Sequence, residues 1–210
     1  MVGKQKGIVM ENNIINNWLK CYMIGPMEEV ASGDGGRGWR ERISEKLGER
    51  IDQNGNPIYR FNPCEEEQNK TGMEQETLHK KIKGWLASGN NDKVAEFGSL
   101  IWQGKTYIEK TEDGKAKLVK IMGDIDYVVN SDFLIARMEK GDAPCGTFGE
   151  ACIALEHNIP IYVIQTMART DYSGSFVHFV YASKGGFFEN ENELLEFLDK
   201  KYKLKKRKKK

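Results

Sequence analysis

Asp132-Phe133-Leu134-Ile135-Ala136, Gly146-Thr147-Phe148-Gly149-Glu150-Ala151-Cys152-Ile153-Ala154 and Ile159-Pro160-Ile161-Tyr162-Val163-Ile164 follow one another along a 210-residue chain. Phe133–Ala136 and Ile161–Ile164 lack polar alternation, as strands do when both faces of their sheet are covered. Between them, residues 147–157 read as a helix preceded by Gly146. Strand, helix, strand is the repeating unit of a parallel sheet.

The same alternation extends outward. Cys21-Tyr22-Met23-Ile24 is a buried strand stopped at Gly25-Pro26. Residues 39–51 place Trp39, Ile43, Leu47 and Ile51 at helical spacing. A second strand covers 58–61. Residues 116–130 read as a helix, Phe176–Tyr181 as a fifth strand and Glu191–Tyr202 as a closing amphipathic helix. From about 64 to 112 the pattern loosens into an insertion, with a helix near 73–87 and a hairpin near 109–117. The expected architecture is one α/β domain over 1–199, with helices on both faces of a five-stranded parallel sheet, and a disordered basic tail over 200–210.

Composition narrows the class. The chain is 39% hydrophobic and 30% charged, with a mean hydropathy of −0.61. No apolar run approaches membrane-span length, and the first twenty residues show no signal-peptide pattern. Secreted, membrane-spanning and wholly disordered proteins are disfavoured, and a cytoplasmic location is expected. Nine of 32 Lys/Arg fall in residues 200–210, which hold no acid, leaving 23 bases against 31 acids in the body. An acidic body is not a dedicated duplex binder; the tail is a solvated end or a weak nucleic-acid contact. Removing residues 203–210 should then leave the melting temperature nearly unchanged. Cys21, Cys64, Cys145 and Cys152 match no zinc spacing; no metal or cofactor is called for, and reduced thiols are expected.

Open parallel sheets bind ligands beyond the carboxyl ends of their strands, here the loops 25–40, 137–149 and 165–175. The first contains a formal G-x-G-x-x-G at Gly33, Gly35 and Gly38. Seven residues separate Gly25 from Gly33, so the dinucleotide fingerprint fits poorly. Arg37 and Arg40, flanking Gly38-Trp39 at a helix start, suit an anion better. In the second loop, Glu150 falls in the first turn of a small-residue helix, where it either complements the helix dipole or acts on a ligand. Tyr22, Asp124, Asp132 and Asp142 are expected near the same sheet end, and gathered carboxylates repel one another. Asp132 has a turn-forming alternative and Asp126 a solvent-facing one.

With Tyr22-x-x-Gly25-Pro26, Asp124-x7-Asp132 and Gly146-Thr147-x-x-Glu150, the chain resembles the nucleoside 2-deoxyribosyltransferase family and its nucleotide N-glycosidase relatives, over roughly 20–62 and 116–200. The resemblance implies a flavodoxin-like fold that cleaves an N-glycosidic bond without a cofactor, in a homo-oligomer. It implies Glu150 as nucleophile, Tyr22 as the residue orienting it, Asp124 as the nucleobase contact that aids protonation, and Asp142 as a second base contact. Gly25, Pro26, Arg37, Trp39, Arg40, Gly146 and Thr147 would line the substrate.

The chain also departs from the family. Where its transferases supply an asparagine to a neighbouring subunit's site, this chain reads Tyr172-Ser173-Gly174-Ser175-Phe176. Its Gly/Arg-rich loop resembles that of the relatives that hydrolyse nucleoside 5′-monophosphates. Three functions stay open: transferase, 5′-monophosphate N-glycosidase, and a nucleotide-binding sensor without turnover.

Overall fold

The computed structural model describes residues 17–26, 36–110, 116–142 and 145–207. In chain order the elements are β1 (Lys20–Ile24), α1 (Arg37–Gly48), β2 (Arg50–Ile51), β3 (Tyr59–Phe61), α2 (Pro63–Thr71), α3 (Gln75–Ala87), α4 (Asn91–Gln103), β4 (Gly104–Lys110), β5 (Ala116–Met122), α5 (Asp124–Val129), β6 (Phe133–Arg137), α6 (Cys145–Glu156), β7 (Ile161–Ile164), α7 (Gly174–Ala182), β8 (Gly186–Phe188), α8 (Glu191–Lys201) and β9 (Lys205–Lys206). They fall into two compact units. The inserted unit comprises, among its described residues, Pro63–Tyr127; the sheet unit takes in the flanking segments that end at Asn62 and resume at Val128.

The sheet unit holds five strands in the order β3-β1-β6-β7-β8, every neighbouring pair parallel. Counting only these strands, the order is 2-1-3-4-5, the flavodoxin-like doubly wound arrangement. Alternation along each strand separates two cores. Cys21, Met23, Phe133 and Ile135 face Trp39, Ile43 and Leu47 of α1 and Leu194, Leu195 and Leu198 of α8. Tyr22, Ile24, Leu134 and Ala136 point to the opposite face, which α6 and α7 cover with Ala151, Ala154, Phe176 and Val180. Right-handed crossovers require this division, because the chain moves one way from β1 to β3 and the other way from β6 to β8. Deep burial leaves Cys21 unreactive: desolvation pushes its thiol up to about 12, with Arg60 opposing and Asp132 reinforcing the shift.

Two element assignments are corrected. Residues 116–122 form a strand because β4 pairs with them antiparallel, from Gly104↔Met122 to Lys110↔Ala116; only Asp124–Val129 is helical. The hairpin expected at 109–117 therefore extends over 104–122, with residues 111–115 outside the described set. Phe176–Tyr181 is helical: the Ser173 hydroxyl caps α7 by accepting from the Phe176 N–H at 3.2 Å, and Phe176 and Val180 are buried one turn apart. The fifth strand is β8, paired with β7.

The tail also differs from expectation. α8 runs to Lys201, Leu204 is 8% exposed within the core, and β9 pairs antiparallel with β2. The Arg207 N–H donates to the Glu49 carbonyl at 2.7 Å. Tyr202 stacks on Phe133 at 5.0 Å, and its hydroxyl lies 3.2 Å from that of Tyr162. Burial and the Tyr162 hydroxyl hold the Tyr202 phenol above its ordinary range. Counting lysines missed these two apolar anchors; residues 208–210 lie outside the described set. Truncation after Tyr202 removes Leu204 and the β2–β9 ladder. Burial of one leucine is worth about 2 kcal/mol, so thermal unfolding should show a melting temperature lower by roughly 4–8 °C.

The inserted unit contains α2, α3, α4 and the β4–β5 hairpin. Leu78 is its most deeply buried apolar residue in α3, and the Trp85 and Phe97 rings meet at 4.8 Å. Among the described residues no helix is long and apolar enough to cross a membrane.

Candidate active site at the switch point of the sheet

Strand order reverses between β1 and β6, so their carboxyl ends bound the crevice in which doubly wound sheets bind ligands. Gly25 and Pro26 leave β1 there. A Cβ on Gly25 would stand 2.6 Å from the Arg137 carbonyl oxygen at the end of β6. Glycine at this position lets the two strand ends approach. Residues 27–35, with Gly33 and Gly35 of the glycine-rich loop, lie outside the described set. The chain is next described at Gly36, the N-cap of α1, with φ 71° and ψ 18°. A Cβ here would meet the Pro26 carbonyl oxygen at 2.7 Å, in addition to the left-handed strain.

Arg40 and Trp39 do not serve the roles expected of them. Arg40 is fully buried: Nε donates to the Met23 carbonyl at 3.3 Å, Nη1 to Gly36 at 2.7 Å and Nη2 to Gly25 at 2.7 Å. Its guanidinium lies 4.7 Å from the Trp39 ring, and Trp39 is 6% exposed in the α1 core. Both residues therefore hold the strand end against the helix start. Arg37, in the first turn of α1, is half-exposed.

On the other side of the crevice, the Glu139 N–H donates to Asp142 Oδ2 at 2.6 Å, and the Asp142 N–H to the Glu139 carbonyl at 3.1 Å. Asp142 thus builds the loop turn. The Thr166 hydroxyl donates to the Met138 carbonyl and ties the ends of β6 and β7 together.

α6 begins at Cys145, so Glu150 lies in its second turn, not its first. The dipole effect fades within one turn, and complementing it no longer accounts for this residue. Gly146 is exposed at the helix start. Thr147, Glu150, Ala151 and Ala154 form the buried stripe of α6, with Glu150 6% exposed and Thr147 2%. Among the described residues the Thr147 hydroxyl has no hydrogen-bond partner. Tyr22, fully buried in β1, points to this same face of the sheet.

Asp132 sits at the amino end of β6, where Oδ2 accepts the Lys20 N–H at 2.7 Å. It belongs to the far end of the sheet and takes its turn-forming alternative, which removes it from the expected cluster. Asp126 caps α5 by accepting the Gly123 N–H at 3.1 Å and pairs with Lys120 at 2.6 Å.

Asp124, 5% exposed, belongs to the inserted unit. Lys70 Nζ donates to its Oδ1 at 2.7 Å and to the Ile101 carbonyl at 3.3 Å, and lies 4.9 Å from the Tyr127 ring. The Tyr127 hydroxyl donates to Glu66 Oε2 at 2.7 Å. Glu66 and Lys70, four apart on α2, present one face to Asp124 and Tyr127, three apart on α5. Sequence reasoning missed Lys70 and Glu66; their i,i+4 spacing was visible, but partners 54 and 61 residues away were not.

No known family model matches the chain, and no curated protein matches it in sequence.

Proposed function

We propose that the chain cleaves the N-glycosidic bond of a nucleoside or nucleotide through Glu150. The observation that carries this reading is the burial of Glu150 on the sheet-facing stripe of the helix leaving the switch point. That location serves ligands in this fold. The resemblance of Tyr22-x-x-Gly25-Pro26 and Gly146-Thr147-x-x-Glu150 to the nucleoside 2-deoxyribosyltransferases supplies the chemistry.

In the proposed reaction, one Glu150 oxygen attacks the anomeric carbon as the bond to the base nitrogen breaks. A glycosyl ester forms and the base departs with the bonding pair. A second base, or water, then attacks the same carbon and regenerates the carboxylate. Tyr22 is assigned to orient Glu150, and Thr147 to hold a polar group of the substrate. The resemblance gives Asp124 a nucleobase contact.

Hydrolysis of a 5′-monophosphate is the second reading. α1 opens on Gly36, which has no side chain to cap the helix, and Arg37 follows it. The segment where transferases carry an asparagine is used locally instead: Tyr172 is buried and accepts the Thr166 N–H at 3.3 Å, and Ser173 caps α7.

Product analysis with deoxynucleosides and deoxynucleotides, with and without a second free base, separates the functions. A new nucleoside formed only with the added base identifies a transferase, and free base from a monophosphate without acceptor a hydrolase. No turnover on the whole panel leaves a sensor. For a hydrolase, Arg37→Ala should raise KM for the monophosphate about tenfold or more and scarcely change that for the nucleoside. An unchanged ratio of kcat/KM values would remove Arg37 from phosphate binding.

A further inference from the structure

We infer a second binding surface, for single-stranded nucleic acid, at the amino end of the sheet. A cavity of about 390 Å³ opens there, lined in part by Trp18, Asp52, Asp132, Lys201, Tyr202 and Lys203. It lies ahead of β1 and β6, whereas the switch point lies beyond their other ends. The inference therefore stands independently of Glu150 and its chemistry.

Lys201 and Lys203 line this cavity, within a basic run along the chain. Lys200, Lys201, Lys203, Lys205, Lys206 and Arg207 are all exposed, while Leu204 is buried and Tyr202 half-buried between them. Pairing of β9 with β2 holds Lys205 and Lys206 on a fixed backbone. Among the described residues none of these six cations is in an ion pair; the nearby Asp199 is taken by Arg50 at 2.6 Å.

The cavity also holds two carboxylates, each held by backbone N–H groups. Asp132 Oδ2 accepts the Lys20 N–H, and Asp52 Oδ1 accepts the N–H groups of Asn54 and Asn56, each at 2.8 Å. Lys201 Nζ lies 5.2 Å from the Tyr162 ring, but the other five exposed cations have no carboxylate partner among the described residues and repel one another. A phosphate backbone relieves that repulsion and releases its own counterions.

Trp18 selects the ligand class. Its indole is half-exposed at the cavity and tilted 47° against Tyr59, with ring centroids 6.5 Å apart. A basic track beside an accessible aromatic ring is how proteins hold single strands, with phosphates on the cations and a base on the ring. An anionic membrane is the weaker match. Residues 200–207 expose no apolar side chain to enter the headgroup region, because Leu204 faces inward.

The test is fluorescence anisotropy of the full chain with a labelled single-stranded DNA of about 16 nucleotides. Engagement of four to six cations gives a slope of log affinity on log salt of about −3 to −4, which is a fall of roughly 50- to 250-fold between about 50 and 200 mM salt. Replacing Lys205, Lys206 and Arg207 with glutamine keeps Leu204 and the β9 backbone. Their melting temperature should hold while the slope moves toward zero by about 2. Trp18→Ala should weaken binding about tenfold with the slope unchanged. No binding at about 50 mM salt would overturn the inference. So would wild-type binding by the glutamine variant, which would move the contact to residues 208–210. Tighter binding to phosphatidylserine vesicles than to DNA would overturn it in favour of a membrane.

Discussion

Glu150→Gln is expected to lower turnover on the order of 10⁴-fold or more, with the fold intact. Glutamine keeps the shape and half the hydrogen-bonding capacity of the side chain, but its amide cannot form the glycosyl ester. The stability result matters equally. Glu150 is 6% exposed, and a glutamine of the same shape should leave the melting temperature nearly unchanged. Lost turnover together with a lowered melting temperature would point to a structural carboxylate. Near-wild-type turnover would remove Glu150 from the reaction altogether.

Lys70→Met is expected to destabilise the protein by about 3–5 kcal/mol, the usual cost of stranding one partner of a buried ion pair. The Lys70 and Asp124 side chains are 1% and 7% exposed, so water can do little for the carboxylate left behind. Urea denaturation monitored by circular dichroism measures the loss as a lower midpoint at constant slope. The double variant Lys70→Met/Asp124→Leu should recover most of the stability, since two apolar side chains replace the pair without a stranded charge. If Asp124 engages the base, that stable double variant will still be impaired in turnover. Full activity in it would confine the pair to holding α2 against α5. A loss below about 1 kcal/mol in the single variant would mean that the pair behaves as a surface one.

Strand and helix along β6, α6 and β7 were legible because each had a single periodicity and a clear stop. Ile161–Ile164 matched residue for residue. Residues 116–122 were misassigned because Leu118, Ile121 and Ile125 fit a helical spacing, while the partner strand β4 belonged to a stretch with little pattern. Phe176–Tyr181 offered aromatic residues that suit either element; the Ser173 cap and the turn-spaced burial of Phe176 and Val180 decided it.

At the candidate site, donors could be read from sequence but acceptors could not. Arg40 beside glycines suggested an anion, yet its three bonds go to the carbonyls of Met23, Gly25 and Gly36, which every residue type carries alike. Asp142 Oδ2 likewise accepts a backbone N–H of its own loop, from Glu139. Glu150 was legible through its motif, although its depth in α6 depended on where the helix begins, and helix ends are the least predictable feature of a pattern.

Intact-protein and peptide mass spectrometry after incubation with a 2′-fluoro-2′-deoxyarabinosyl nucleoside tests the Glu150 reaction at the atom that matters. Fluorine beside the anomeric carbon disfavours the oxocarbenium-like state and slows release of the glycosyl enzyme. The expected result is one added fluorosugar per chain, matched by one equivalent of released base and mapped to the peptide at Glu150, with no adduct in the Glu150→Gln variant. Release of base with no adduct, or an adduct on any other residue, would contradict the assignment of Glu150 as the nucleophile.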